Sequence, residues 1–168
     1  DVANTVPMKE PQKEQVPLQN PGPVEGTAWT SSSTGMKFVW VPALKLWVGK
    51  YEVTNNEYRK KEIGHNSGDF GGHSLNGNDQ PVVCVSFEEA VAYAEWLSKK
   101  DEIENEGLLY RIPSEGEWLS FAQCGDGRKY PWGNAIPPSF GNYADSASET
   151  GNHISSYSDG YSVTCPVS

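Results

Sequence analysis

The chain has 168 residues and carries 22 acidic against 13 basic side chains, a formal charge of −9. This balance argues against nucleic-acid binding, which needs a basic surface to displace counterions; it suits divalent-cation binding or a solvated acidic surface. At 36% hydrophobic and 21% charged residues the chain reads as one globular domain, and no apolar run approaches the roughly 20 residues of a membrane span.

Residues 1–26, rich in proline and without helical or strand periodicity, read as a linker that cannot bury enough surface to offset its ordering entropy. A tether to a preceding domain or membrane anchor and a frayed terminus are both compatible with it. The chain starts at Asp1 and not Met, which suggests processing or excision. Residues 27–168 form the domain. Met36–Val48 is its most strand-like part, with Val39, Val41, Leu44, Leu46 and Val48 alternating and Pro42 dividing two strand pieces at an edge or bulge. Trp40 and Trp47 suit core or sheet-face packing. Lys50–Val53 continues as a strand, and Thr54 with Glu57 forms a capping box for a short helix through Lys61.

Ile63–Gln80 is rich in Gly, Asn, Asp and His, and reads as a long loop that shapes a cleft. His65, His73 and Asp69 invite a metal hypothesis, but they lack ligand spacing and a rigid element to hold them. Pro81–Val85 is expected to be a short buried strand, with Cys84 in it as a small core hydrophobe. Ser86 and Glu89 make a second capping box, opening a helix through Lys100 whose inner stripe is Ala90, Tyr93, Ala94 and Leu97. An acidic turn over 101–107 then leads to a strand running toward Arg111.

Tyr110–Asn134, YRIPSEGEWLSFAQCGDGRKYPWGN, concentrates the strongest signals. Pro113 ends the extended run, Ser114 and Glu117 form a third capping box, and Trp118, Phe121 and Ala122 fall on one face of the helix that follows. Cys124–Gly127 breaks that helix, and Tyr130–Asn134 makes an aromatic turn. Beyond it the chain is polar and aperiodic, and needs some further reason to be ordered.

The order R-(I/L)-P-(S/T)-E-x-E-W followed by Y-P-W-G-N resembles the formylglycine-generating enzyme (sulfatase-modifying factor) family. Gly49–Asn55 and Pro81–Ala90 look like its two earlier strand-to-helix elements, so the resemblance spans roughly Gly35 to Ser168 and concerns the amino-terminal part of the family domain. It implies an α+β, C-type-lectin-like domain with little regular secondary structure, lacking its carboxy-terminal part. It also implies one calcium ion, held by the Asn142 side chain, the Tyr143 carbonyl, the Asp159 side chain and the Tyr161 carbonyl. Asp145 and Glu149 are nearby carboxylates outside that motif. A hard cation wants such oxygen ligands.

The family's copper-binding cysteine pair oxidises a substrate cysteine, but lies in the later part of the domain. None of Cys84, Cys124 and Cys165 maps onto it, and Cys124 stands where the family usually has glycine. The odd thiol count shows no CxxC spacing, no base is adjacent, and no other catalytic motif is present. Copper is expected only where a carboxy-terminal part exists. The leading expectation is a non-catalytic scaffold or binding module for a protein, peptide or glycan, with association through the incomplete domain edge. The alternative is the front part of an oxidase acting on sulfatase cysteines. The compartment stays open, with an extracytoplasmic or secreted setting favoured.

Overall fold

The computed structural model describes residues 22–101, 107–138, 140–148 and 151–167. The expected linker therefore falls mostly outside the described residues, as does Glu149. Among the described residues the architecture is mixed: small antiparallel sheets and three helices joined by long irregular segments.

β1 (Trp29–Thr30), β2 (Lys37–Val41) and β3 (Leu46–Gly49) form an antiparallel meander. The register sets Trp40 opposite Trp47, with ring centroids 4.5 Å apart, and Phe38 opposite Trp29 on the other side. Pro42 sits in the turn of the β2–β3 hairpin, where Leu44 N–H donates to the Val41 carbonyl; it is a corner, not a bulge. Phe38 is the β2 residue that turns inward, while Val39 is 37% exposed. The expected continuation over Lys50–Val53 does not form. β3 ends at Gly49, and the next ladder contact is a single Thr54–Pro81 bridge.

α1 (Asn55–Tyr58) is one turn long, shorter than expected, and is opened by the Thr54–Glu57 capping box with both reciprocal bonds made. Such a turn has too few internal hydrogen bonds to stand alone, so its caps and tertiary partners must hold it. The loop that follows contains two short paired strands, β4 (Asp69–Phe70) and β5 (His73–Ser74), which the polar composition of the loop did not suggest. Residues 81–85 are not a strand. Cys84 there is exposed with φ +59°, so it is a surface turn residue and not a core one.

α2 (Phe87–Lys100) carries the Ser86–Glu89 box and buries Tyr93, Ala94 and Leu97 of the expected stripe at helical spacing, with Ala90 half-buried. The core is small: Met36, Phe38, Tyr58, Tyr93 and Leu97, with Trp29, Trp47, Val53, Val82, Val85, Trp96 and Tyr110 around it. Tyr93 lies against Tyr58 (centroids 5.1 Å apart), and burial pushes its phenol well above the usual value. Residues 107–114 run without a ladder, so the expected strand before Arg111 is extended chain only.

α3 (Glu115–Ala122) buries none of its residues, and Trp118 is 52% exposed. Its start is fixed instead by polar contacts. Glu117 accepts from Ser114 N–H at 2.8 Å, while Arg111 grips the same carboxylate as a fork at 2.7 and 2.6 Å. The helix ends at Gln123, followed by Cys124 (φ +53°) and Gly125 (φ +65°) in the left-handed region.

Two outcomes follow from this architecture. Leu97→Ala should cost roughly 2–5 kcal/mol in urea unfolding, because a small core cannot close the gap. The Arg111 fork, with help from Ser114 N–H, lowers the Glu117 pKa from 4.5 to about 2. Folding lowers this pKa, so the stabilisation is complete above the ordinary value and fades as pH falls from 4.5 toward about 2. An NMR titration of the Glu117 carboxyl should show the low midpoint, and Glu117→Gln should flatten that part of the acid limb; a midpoint at the ordinary value would show that the fork does not form in solution.

Candidate metal centre

The aromatic turn after α3 provides the anchor for the polar region beyond it. Tyr130 and Gly133 exchange backbone hydrogen bonds at 3.0 and 2.9 Å, and the Asn134 side chain accepts from Lys129 N–H at 2.7 Å. Trp132 stacks on Tyr130 with centroids 4.8 Å apart and meets the edge of Tyr143 at 4.5 Å. Tyr143, an expected carbonyl ligand, is thereby fixed to the turn. Gly141 beside it has φ +99°, and a Cβ there would lie 2.7 Å from the Tyr143 ring, so only glycine fits without displacement.

Two segments, 141–147 and 154–163, are then pinned side by side. Asn142 Nδ2 donates to the Val163 carbonyl at 2.7 Å, Tyr157 O–H donates to the Gly141 carbonyl at 2.8 Å, and Ile154 N–H donates to the Ala144 carbonyl at 2.9 Å. The remaining tie is Asp145, which is fully buried. Its Oδ2 accepts from Asp159 N–H at 2.5 Å and its Oδ1 from Ala147 N–H at 2.8 Å. Burial works against its charge, but the N–H groups of Asp159 and Ala147 outweigh that and hold its pKa below the ordinary carboxylate range. Asp145 is thus engaged as a structural acceptor that positions Asp159. Neither this role nor that of Tyr157 has a local sign in the residues, because the partners, Asp159 and Gly141, lie more than ten residues away.

Asp159 accepts from Tyr161 N–H through Oδ1 at 2.8 Å, whereas its Oδ2 is buried and has no hydrogen-bond partner. A buried carboxylate oxygen without a donor is costly. Since Asn142 turns its N–H toward a carbonyl, Oδ1 is left as the other face of that amide. Asn142 and Asp159 therefore lie in two segments that the fold brings together, with the Tyr143 and Tyr161 carbonyls in the same two segments. The donor set is entirely oxygen and includes one orphaned carboxylate atom, which fits a hard cation.

The other sequence candidates do not gather. Among the described residues no group of three or more His, Cys, Asp or Glu side chains could hold a metal. The His65 ring sits 3.0 Å from the Val83 carbonyl and 3.2 Å from Ser67 Oγ, packed edge-on to Tyr58, so it braces the loop. Asp69 and His73 lie exposed on the β4–β5 hairpin. Cys84, Cys124 and Cys165 are unbridged, and Cys84 Sγ donates to the Ser67 carbonyl. Cys124 takes the left-handed conformation that glycine adopts more readily. The 63–80 loop, expected to shape a cleft, contributes no residue to the apolar groove that the structure does show. This groove, of about 230 Å³, opens between the β2–β3 hairpin and the 108–113 segment, walled by Trp29, Phe38, Trp47, Leu108 and Tyr110. No helix among the described residues is long and apolar enough to cross a membrane.

Comparison with known proteins shows the family of the chain. The chain is 37% identical over 90 residues to the formylglycine-generating enzyme of Thermomonospora curvata, covering 53% of this chain and 26% of that protein. It is 33% identical over 94 residues to the Bos taurus formylglycine-generating enzyme, covering 55% and 22%. It is also 41% identical over 59 residues to the inactive C-alpha-formylglycine-generating enzyme 2 of Bos taurus, covering 34% and 16%. The chain spans about a quarter or less of the length of these relatives. No solved structure matches it significantly. The family described as sulfatase-modifying factor enzyme 1-like domain matches residues 3–168, beginning well before Gly35. The chain belongs to that family.

Proposed function

We propose that this chain serves as a non-catalytic scaffold or binding module of the family, on a C-type-lectin-like framework, with a calcium ion stabilising its later loops. The observation that carries the calcium part is the buried, partnerless Asp159 Oδ2 in a segment tied to Asn142 and Tyr143. Calcium would supply the missing positive partner there, held by Asn142, Tyr143, Asp159 and Tyr161. The module reading draws on the likeness to an inactive relative and on thiols that share no described contact with one another. The apolar groove beside the hairpin favours a protein or peptide partner, whose side chain it could seat, over a glycan.

Added calcium should raise the melting temperature relative to chelator, by about 2.7 kcal/mol of stability at a free concentration near 100 times the dissociation constant. Asp159→Ala should erase that difference, and chelator should speed proteolysis between Asn142 and Tyr161. Identical melting with calcium and with chelator would end the calcium reading.

A second reading is favoured by the 37% identity to a formylglycine-generating enzyme: this chain supplies the front part of an oxidase acting on sulfatase cysteines. The described thiols do not gather into a copper centre, since Cys84 and Cys124 sit exposed on separate turns and no described contact joins any two of Cys84, Cys124 and Cys165. No oxidation step is therefore derived from them. Incubating the chain with copper and a sulfatase-derived cysteine peptide should give no aldehyde above buffer, and aldehyde formation would replace the module reading with this one.

A further inference from the structure

Asn76–Gly77 is the only Asn-Gly pair in the sequence. In an unfolded chain such a pair is chemically labile, because the glycine nitrogen meets no side chain as it approaches the preceding amide carbon. The nitrogen bonds to that carbon, ammonia leaves with a proton from the nitrogen, and water then opens the cyclic imide to an aspartyl or isoaspartyl residue. The sum is amide plus water to carboxylic acid plus ammonia, so no other reactant is needed.

The fold requires both residues of this pair. Asn76 Oδ1 accepts from Arg59 Nη2 and from Ser67 N–H, each at 2.8 Å, while Nδ2 donates to Asn66 Oδ1 at 2.6 Å and to the Gly68 carbonyl at 3.0 Å. Two acceptor bonds and two donor bonds from one short planar group are what an asparagine amide offers, and aspartate lacks the donors. Gly77 is equally constrained. Its N–H donates to Gln80 Oε1 at 2.7 Å, its carbonyl accepts from Asn55 Nδ2 at 2.9 Å, and a Cβ would lie 2.7 Å from Gln80 Oε1. The same bonds immobilise both reacting groups: the amide carbon is clamped through four contacts, and the attacking nitrogen is turned toward Gln80.

We infer that Asn76–Gly77 is a latent deamidation site, shielded while the 63–80 loop is closed and reactive when that loop opens. The reaction also locks in the damage. A carboxylate at position 76 keeps the Arg59 and Ser67 donors but sets acceptors against Asn66 Oδ1 and the Gly68 carbonyl, which are left with the Gly68 and Leu75 N–H groups as donors and now face a repelling oxygen. Each opening event thus risks an irreversible change that favours the next.

The test incubates the full chain at neutral pH, folded and in urea, and follows deamidation by peptide mass spectrometry. In urea Asn76 should deamidate before every other asparagine; in the folded protein its rate should be lower by at least about tenfold, as expected where reaction waits for local opening. Gln80→Ala, which frees the Gly77 N–H, should raise the folded-state rate several-fold with little change in circular dichroism. Should Gln80→Ala not fold, Asn76→Asp serves instead and should melt at a lower temperature than the parent chain. Equal rates in the folded and urea-treated chain, or another asparagine reacting first in urea, would overturn the inference.

Discussion

The side-chain amide of Asn55 is completely removed from solvent, and each of its polar atoms is used. Nδ2 reaches the carbonyls of Leu75, Gly77 and Gln80 at 2.8, 2.9 and 3.3 Å, and Oδ1 accepts from Ser67 Oγ at 2.6 Å. These groups belong to a loop with almost no ladder of its own, so one amide replaces several inter-strand bonds. Ser67 passes the connection on to Val83, and Asn55 N–H itself donates to Gln80, so α1, the loop and the approach to α2 close on one point. A buried amide of this kind stabilises only while fully satisfied, and the neighbours that satisfy it have little freedom to move.

The remainder of the domain follows the same economy. Gln80 Nε2 donates to the Thr164 carbonyl and Val167 N–H to the Asp79 carbonyl, bringing the end of the described chain onto the loop that Asn55 organises. In the region after α3 the corresponding part is played by Asp145, which arranges Asp159 as Asn55 arranges Gly77. The apolar core is small and lies on the side of β2, α1 and α2, so polar side chains on carbonyls and N–H groups hold what the core does not reach.

This division explains how much could be read from the residues alone. The three capping boxes are local chemistry, with donor and acceptor three positions apart, and all three form where the Ser/Thr-x-x-Glu spacing places them. The α2 stripe is equally local. Strands expected over 50–53, 81–85 and before Arg111 failed because a strand needs a neighbour, and the backbone there bonds to side chains or single carbonyls. Cys84 read as a core residue because its apolar neighbours did, but its left-handed backbone turns it outward. At the candidate metal centre, family likeness supplied the positions Asn142 and Asp159, whereas Asp145 looked like a rival carboxylate and instead accepts from the Asp159 and Ala147 N–H groups.

α3 has a different status from the other helices. Its Trp118 and Leu119 are exposed and its Phe121 and Ala122 only half-buried, and its start depends on the Ser114–Glu117–Arg111 cluster. Mutational tolerance in this domain should consequently run against the usual expectation for surface and interior. Hydrophobic positions on α3 can vary with little consequence for the fold, whereas small polar residues in the irregular stretches, Asn55, Ser67 and Asn76 foremost, leave selection almost no substitutes.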